Sequence, residues 1–173
     1  MLTAALGLAF GYVYATALEW VVHNLVYHQL GRKLGGAWNF HLKEHHRDTR
    51  RGRGVDPAFA ERRWLLSSAL TAHSREALGL VVVLLLHTPL LLVAPAVFAA
   101  LAGMAAYYHY CHWKSHADTE WCKRRLPWHW EHHMSPHLDA NYCLTSDWFD
   151  RLMGTRVRSP ECFEEEPARR RAA

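Results

Sequence analysis

Ten of the 14 histidines in this 173-residue chain fall into four short clusters with ligand-like spacing. His23 and His28 enclose four residues. His41, His45 and His46 lie in HLKEHH, His112 and His116 in HWKSH, and His129, His132 and His133 in HWEHH. Neutral imidazole is the commonest protein metal ligand and suits iron, zinc and copper. On a helix, residues four apart stand about 40° apart in azimuth and residues three apart about 60°. His41/His45, His112/His116, His129/His132 and His129/His133 can therefore each turn toward a common centre. His23/His28, five apart, stand about 140° apart on an ideal α-helix and need a distorted turn. Ten protonated imidazoles in one small volume would repel one another, which disfavours a metal-free cluster. A polar belt at a membrane surface is the bland alternative, and it leaves the spacings in both halves of the chain unexplained. His73, His87, His109 and His137 lie outside the clusters and read as packing residues.

The elements that must carry these clusters are oily. Leu2 to Leu18 carries no charge and is followed by Glu19, Trp20, Val21 and Val22. A cleavable signal peptide has a basic start and a small-residue cleavage site, whereas no Lys or Arg precedes Arg32. A retained membrane helix from Leu2 past His28 is expected. Ala77 to Tyr108 is a second uncharged stretch. As one helix it would be roughly 48 Å long, against a hydrocarbon core of about 30 Å. Pro89 and Pro95 interrupt it, and proline breaks helical hydrogen bonding. The expectation is a helical hairpin turning between Thr88 and Pro95, its arms extended by Trp64 to Ala72 and His109 to Trp113. Its arms either cross the membrane or form a re-entrant pair.

Charge distribution gives the orientation. The chain has 20 Lys+Arg, 16 Asp+Glu, a net charge of +4 and 50% hydrophobic residues, too apolar for a disordered chain. Its mean hydropathy of −0.18 averages very oily and very polar blocks. Cys111, Cys122, Cys143 and Cys162 are too few, and have no C-x-x-C spacing, for a secreted disulfide scaffold. Every basic residue lies outside the oily blocks, either between Arg32 and Arg75 or between Lys114 and Arg171. By the positive-inside rule both stretches are cytoplasmic, and all four His clusters go with them. Trp20, Trp64 and Trp113 fall near the expected water boundaries. The charge thus records orientation, and no nucleic-acid partner is expected. No internal repeat or Gly-rich phosphate loop is present. The expected fold is an all-α integral membrane helical bundle, with three hydrophobic segments or one span plus a re-entrant hairpin, under a cytoplasmic His-rich helical cap. Residues 1–158 form one domain, and 159–173 a polar, solvated tail.

The order H-x4-H, H-x3-HH, H-x3-H, H-x2-HH resembles the fatty acid hydroxylase/sterol desaturase superfamily of integral membrane di-iron enzymes. EWVVHNLVYH, FHLKEHHRDTR, YHYCHWKSH and LPWHWEHHMSPHLDANYCLTSDWFDRLMGT carry the resemblance, which runs from about Glu19 to Thr155. It implies two iron ions held mainly by His beside a membrane-embedded substrate channel, with dioxygen as co-substrate. One metal would take His23, His28, His41, His46 and His132, and the other His45, His112, His116, His129 and His133. The chain departs from the pattern in having three oily segments where many relatives have four. No haem-containing domain is fused, so electrons must come from a separate electron-transfer protein.

An unactivated aliphatic C–H bond offers neither a labile proton nor an electrophile, so it yields to metal chemistry rather than to side chains alone. The function expected from the resemblance is a monooxygenase that hydroxylates a fatty acyl chain or related lipid. A desaturase, a sterol methyl oxidase or a carotenoid hydroxylase is the alternative within the superfamily. HWKSH stands where the carotenoid enzymes would show H-x-R-x-P. A His-rich membrane protein that binds or transports zinc is the non-enzymatic alternative, and zinc can also take iron sites in overexpressed protein. Glu19, Glu44, Asp118, Glu131, Asp139 and Asp147 are candidates to accept a ring N–H from the metal-binding imidazoles. Asn141, after the last His pair, is expected to support the site. Leu80 to Leu86 and Ala96 to Ala106 are the expected lining for a lipid.

Overall fold

A computed structural model describes residues 1–60 and 72–164, and every regular element among them is helical. Trp64 and Arg169 to Arg171 lie outside the described residues. The first helix is continuous from Leu2 to Leu34. It comprises α1 (Leu2–Val21), a π-helical stretch (Val22–Leu30) and α2 (Gly31–Leu34). Among the described residues it is the one helix long and apolar enough to cross a membrane. The chain leaves it at Gly35 and Gly36, both at positive φ (64° and 54°), a conformation glycine adopts without steric cost. A 3-10 turn (Gly36–Asn39), a second π-helical turn (His41–His46), α3 (Arg47–Arg51) and α4 (Pro57–Ala60) follow.

The second oily block folds as a hairpin. α5 (Ala72–Leu86) and the short α6 (Leu90–Val93) form one side, and α7 (Pro95–Ala117) returns. The break falls at Ala94 (φ −151°, ψ 62°). Pro95 opens α7, at a position where its missing N–H has no intrahelical partner to lose. The hairpin is tied to the first helix by Tyr14, whose hydroxyl lies 2.7 Å from His87 Nε2. α1 and α7 also cross closely. A Cβ on Gly11 would sit 2.6 Å from Ala100 Cβ, and one on Gly7 2.9 Å from Ala96 Cβ. Small residues spaced four apart on both helices permit this approach.

Beyond α7, Asp118 caps α8 (Thr119–Arg125) by accepting from Trp121 N, and α9 (Pro127–Met134) opens on a second proline. A loop then leads to α10 (Trp148–Met153). Glu19 holds that loop from the first helix, accepting from the N–H groups of Leu144 and Thr145 and from the Thr145 hydroxyl. Asp150 accepts from the N–H groups of Tyr142 and Cys143 at 2.9 and 2.7 Å.

Polarity is distributed inside out. Leu6 and Phe10 on α1, Leu85 and Leu86 on α5, and Leu91, Leu92 and Val93 on α6 are exposed. The buried interior is dominated instead by imidazoles, with a small apolar cluster of Cys111, Leu126 and Leu144. Water-soluble chains rarely expose contiguous apolar surface of this kind.

Candidate metal centre

The π-helical stretches answer the spacing problem of the first cluster. Their i→i+5 hydrogen bonding widens the turn, so residues five apart stand nearly over one another. His23 and His28 sit in the first stretch, His41 and His46 in the second. The same widening turns His41 toward His46 rather than His45. The i,i+4 pair His41/His45 is therefore divided between two groups.

One group is His23, His28, His41, His46 and His132; the other is His45, His112, His116 and His133. Within each, one ring nitrogen per residue lies within 4.8 Å of the others, and all nine side chains are buried. Each group could hold a metal ion. His129 flanks the second, its Nε2 3.2 Å from His116 Nε2, without joining the mutual set. The groups adjoin through the two His-His dipeptides, whose members split between them; the His46 and His133 ring centroids are 4.4 Å apart.

The ring nitrogens themselves test whether a cation fits. His45 Nδ1 lies 2.6 Å from an Asp56 carboxylate oxygen, and His112 Nδ1 bonds Glu76. Each bond needs its proton on Nδ1, which leaves a bare lone pair on Nε2 of the neutral ring. Yet the two Nε2 atoms face each other at 3.1 Å. Two acceptors at that distance require a cation between or beside them. The first group repeats the pattern: Nε2 contacts run from His23 to His41 (2.8 Å), His41 to His46 (3.1 Å) and His46 to His132 (3.1 Å). Its end members, His23 and His132, give their Nδ1 protons to the carbonyls of Tyr142 and Ala140. Nitrogens about 2.1 Å from a metal and at right angles to one another would be about 3.0 Å apart. The buried His28 Nε2 and His133 Nε2 have no hydrogen-bond partner among the described residues. The donor set fits a metal.

Protonation of several of these rings is opposed. Burial holds His41, His46, His129, His132 and His133 well below the usual imidazole value, and neighbouring imidazoles push the same way. His45 is lowered by burial against the opposing pull of Asp56. Neutral rings are the ligating form.

Of the sequence-predicted partners, Asp139 alone approaches a ring of the two groups, 3.5 Å from His28 Nδ1, while it pairs with Arg32 at 2.8 Å. The others act elsewhere. Glu19 holds the 144–145 backbone and Glu44 pairs with Arg75 at 2.9 Å. Asp118 caps α8, and Asp147 pairs with Arg151 and Arg156. Glu131 pairs with Arg156 at 2.6 Å and accepts from Ser159 N. Asn141, at φ 58°, clamps Val157 by accepting from its N–H and donating to its carbonyl, both at 2.8 Å.

A cavity of about 660 Å³ opens beside the first group. His23, Tyr27, Phe40 and Arg75 line part of its wall. Leu80, Val82, Val83 and Leu86 from the hairpin, with Leu101, Met104 and Ala105 from α7, line more of it. These fall within the stretches expected to line a lipid site.

No family model, curated protein or solved structure matches the chain. The site therefore stands on its own geometry. Sequence reading missed Asp56 and Glu76, which lie 11 and 36 residues from the rings they hold. It also missed Gly54, whose carbonyl accepts from His116 Nδ1 at 3.1 Å. Gly54 takes φ 99°, and a Cβ there would meet the Trp130 ring at 2.3 Å. Gly54 two positions before Asp56 was the available signal.

Proposed function

We propose that this chain is an integral membrane oxygenase with a dinuclear iron centre, hydroxylating an aliphatic C–H bond of a lipid. The observation that carries the reading is the facing of bare imidazole lone pairs in two adjoining buried groups, beside an apolar cavity. Iron bound there would supply dioxygen activation, the one capability that side chains lack for breaking such a bond. The chain's own residues do the rest. Asp56, Glu76 and the carbonyls of Gly54, Ala140 and Tyr142 fix which ring nitrogen faces inward. Val83, Leu86, Leu101 and Met104 shape an apolar channel that excludes water and orients a hydrocarbon. His23 and Tyr27, on that same wall, mark where the reacting carbon would lie.

Hydroxylation consumes one dioxygen, two electrons and two protons, placing one oxygen atom in the substrate and the other in water. A separate electron-transfer protein is the expected partner that supplies the two electrons. The exposed apolar faces of α1, α5 and α6 support a bundle of more than one membrane segment, with the His groups and both basic stretches on the cytoplasmic side. Metal analysis of the purified protein, followed by lipid mass spectrometry of cells with and without expression, tests the proposal. About two irons per chain and a new lipid heavier by one oxygen atom are expected. Fewer than one metal per chain under iron-replete conditions would overturn the metal centre. A loss of two hydrogens in place of the oxygen gain would identify a desaturase.

A further inference from the structure

We propose that the two histidine groups hold metal with unequal strength. The group of His45, His112, His116 and His133 takes the first ion, and the group of His23, His28, His41, His46 and His132 takes a second, more exchangeable one. This inference rests on the metal-centre reading above and adds an order of loading to it.

The ground is the placement of negative charge. Asp56 and Glu76 are 1% and 3% exposed. Each bonds Nδ1 of a ring in the His45 group, one to His45 and the other to His112. A divalent ion entering among those neutral imidazoles meets two buried carboxylates one ring away, and the formal charges cancel. Carboxylate-backed imidazoles are also more basic ligands. The His23 group has no such compensation. Two of its rings rest on neutral carbonyls, those of Tyr142 and Ala140. Its one nearby carboxylate, Asp139, is more than half exposed and already paired with Arg32 at 2.8 Å.

The other carboxylates around the site do not supply the difference. Glu19 and Asp150 direct their oxygens to residues 142–145 and Thr155, and Glu131 to Arg156 and Ser159. None of these bonds goes to an imidazole. The His23 group has five members against four, but a fifth neutral ring adds a ligand and no charge, and His129 beside His116 offsets even that count. The cost of burying an uncompensated divalent charge outweighs the gain from one more neutral ligand.

The test uses the full chain in detergent, stripped of metal, reloaded with Co²⁺, dialysed against a weak chelator and counted by elemental analysis. Wild type is expected to fall from about two ions to a plateau near one. His28→Ala should keep that retained ion and His116→Ala should lose it. Asp56→Asn keeps one acceptor oxygen for the His45 ring and removes the charge, together with the bond that Asp56 accepts from Ala58 N–H; its helicity should persist by circular dichroism. Its affinity for the retained ion, and that of Glu76→Gln, should drop about tenfold to a hundredfold. Asp56→Glu should restore most of it, and Asp139→Asn should leave it unchanged. Simultaneous loss of both ions from wild type would overturn the inequality alone. Wild-type retention in the Asn and Gln variants, or retention by His116→Ala but not His28→Ala, would do the same. Failure of wild type to bind any ion would remove the metal-centre reading as well.

Discussion

A histidine here is defined by what its Nδ1 touches. His87 lies between Tyr14 and the Val83 carbonyl, and that environment asks nothing of a metal. His46 has a buried Nδ1 without a hydrogen-bond partner and an Nε2 aimed at two other rings. His46→Ala should therefore cost about one bound metal per chain and all turnover. His87→Ala should keep both metals and lose only thermal stability; elemental analysis beside a melting curve separates the two. The same burial makes the metal-free protein acid-sensitive. His41, His46, His132 and His133 are held below the usual 6.5, so near that pH the unfolded chain takes up protons that the folded chain refuses. Their contribution is fully present above about pH 6.5 and shrinks below it, by about 1.4 kcal/mol per pH unit for each group. Melting of metal-stripped protein at pH 7.5 and 5.5 checks this. Equal midpoints would mean that these rings titrate alike in both states.

At the scale of elements, the widened turns carry the site. Deleting Leu25, an exposed residue inside Val22–Leu30, should let that stretch relax to an α-helix. His28 would then lie four residues after His23 on a narrower turn, and the ring positions that the widened turn sets would be lost. The expected outcome is unchanged helicity with loss of the metal held by the His23 group, read by circular dichroism and metal counting. Retention of both metals would show that the π geometry is dispensable. This is also where sequence and structure part company. The clusters, the oily helix and the hairpin turn between Thr88 and Pro95 were all legible, because spacing, hydropathy and proline are local signals. The five-residue spacing of His23/His28 read as a weakness, since single-sequence reasoning assumes 3.6 residues per turn. Asp56 and Glu76 were invisible for a different reason: a carboxylate that meets an imidazole across a fold leaves no periodic trace. Glu19 and Glu131 looked equally suitable and turned out to hold backbone and arginine instead.

At the scale of the molecule, among the described residues, imidazoles occupy the interior and apolar side chains much of the outside, the distribution expected of a chain surrounded by an apolar medium. The expressed protein should stay in the membrane pellet after alkaline carbonate washing and require detergent for release, as fractionation and immunoblotting would show. Recovery in the carbonate supernatant would count against a spanning first helix. The adjoining dipeptides His45-His46 and His132-His133 bear on how such a bundle behaves when it moves. Each sends neighbouring side chains to opposite groups, and neighbouring Cα atoms are about 3.8 Å apart across a rigid peptide plane. Two ions seated there would be yoked by covalent bonds rather than by packing. The cavity could swell or narrow as α5 and α7 shift, while the interval between the ions stayed nearly fixed, like two rungs bolted to the same pair of rails.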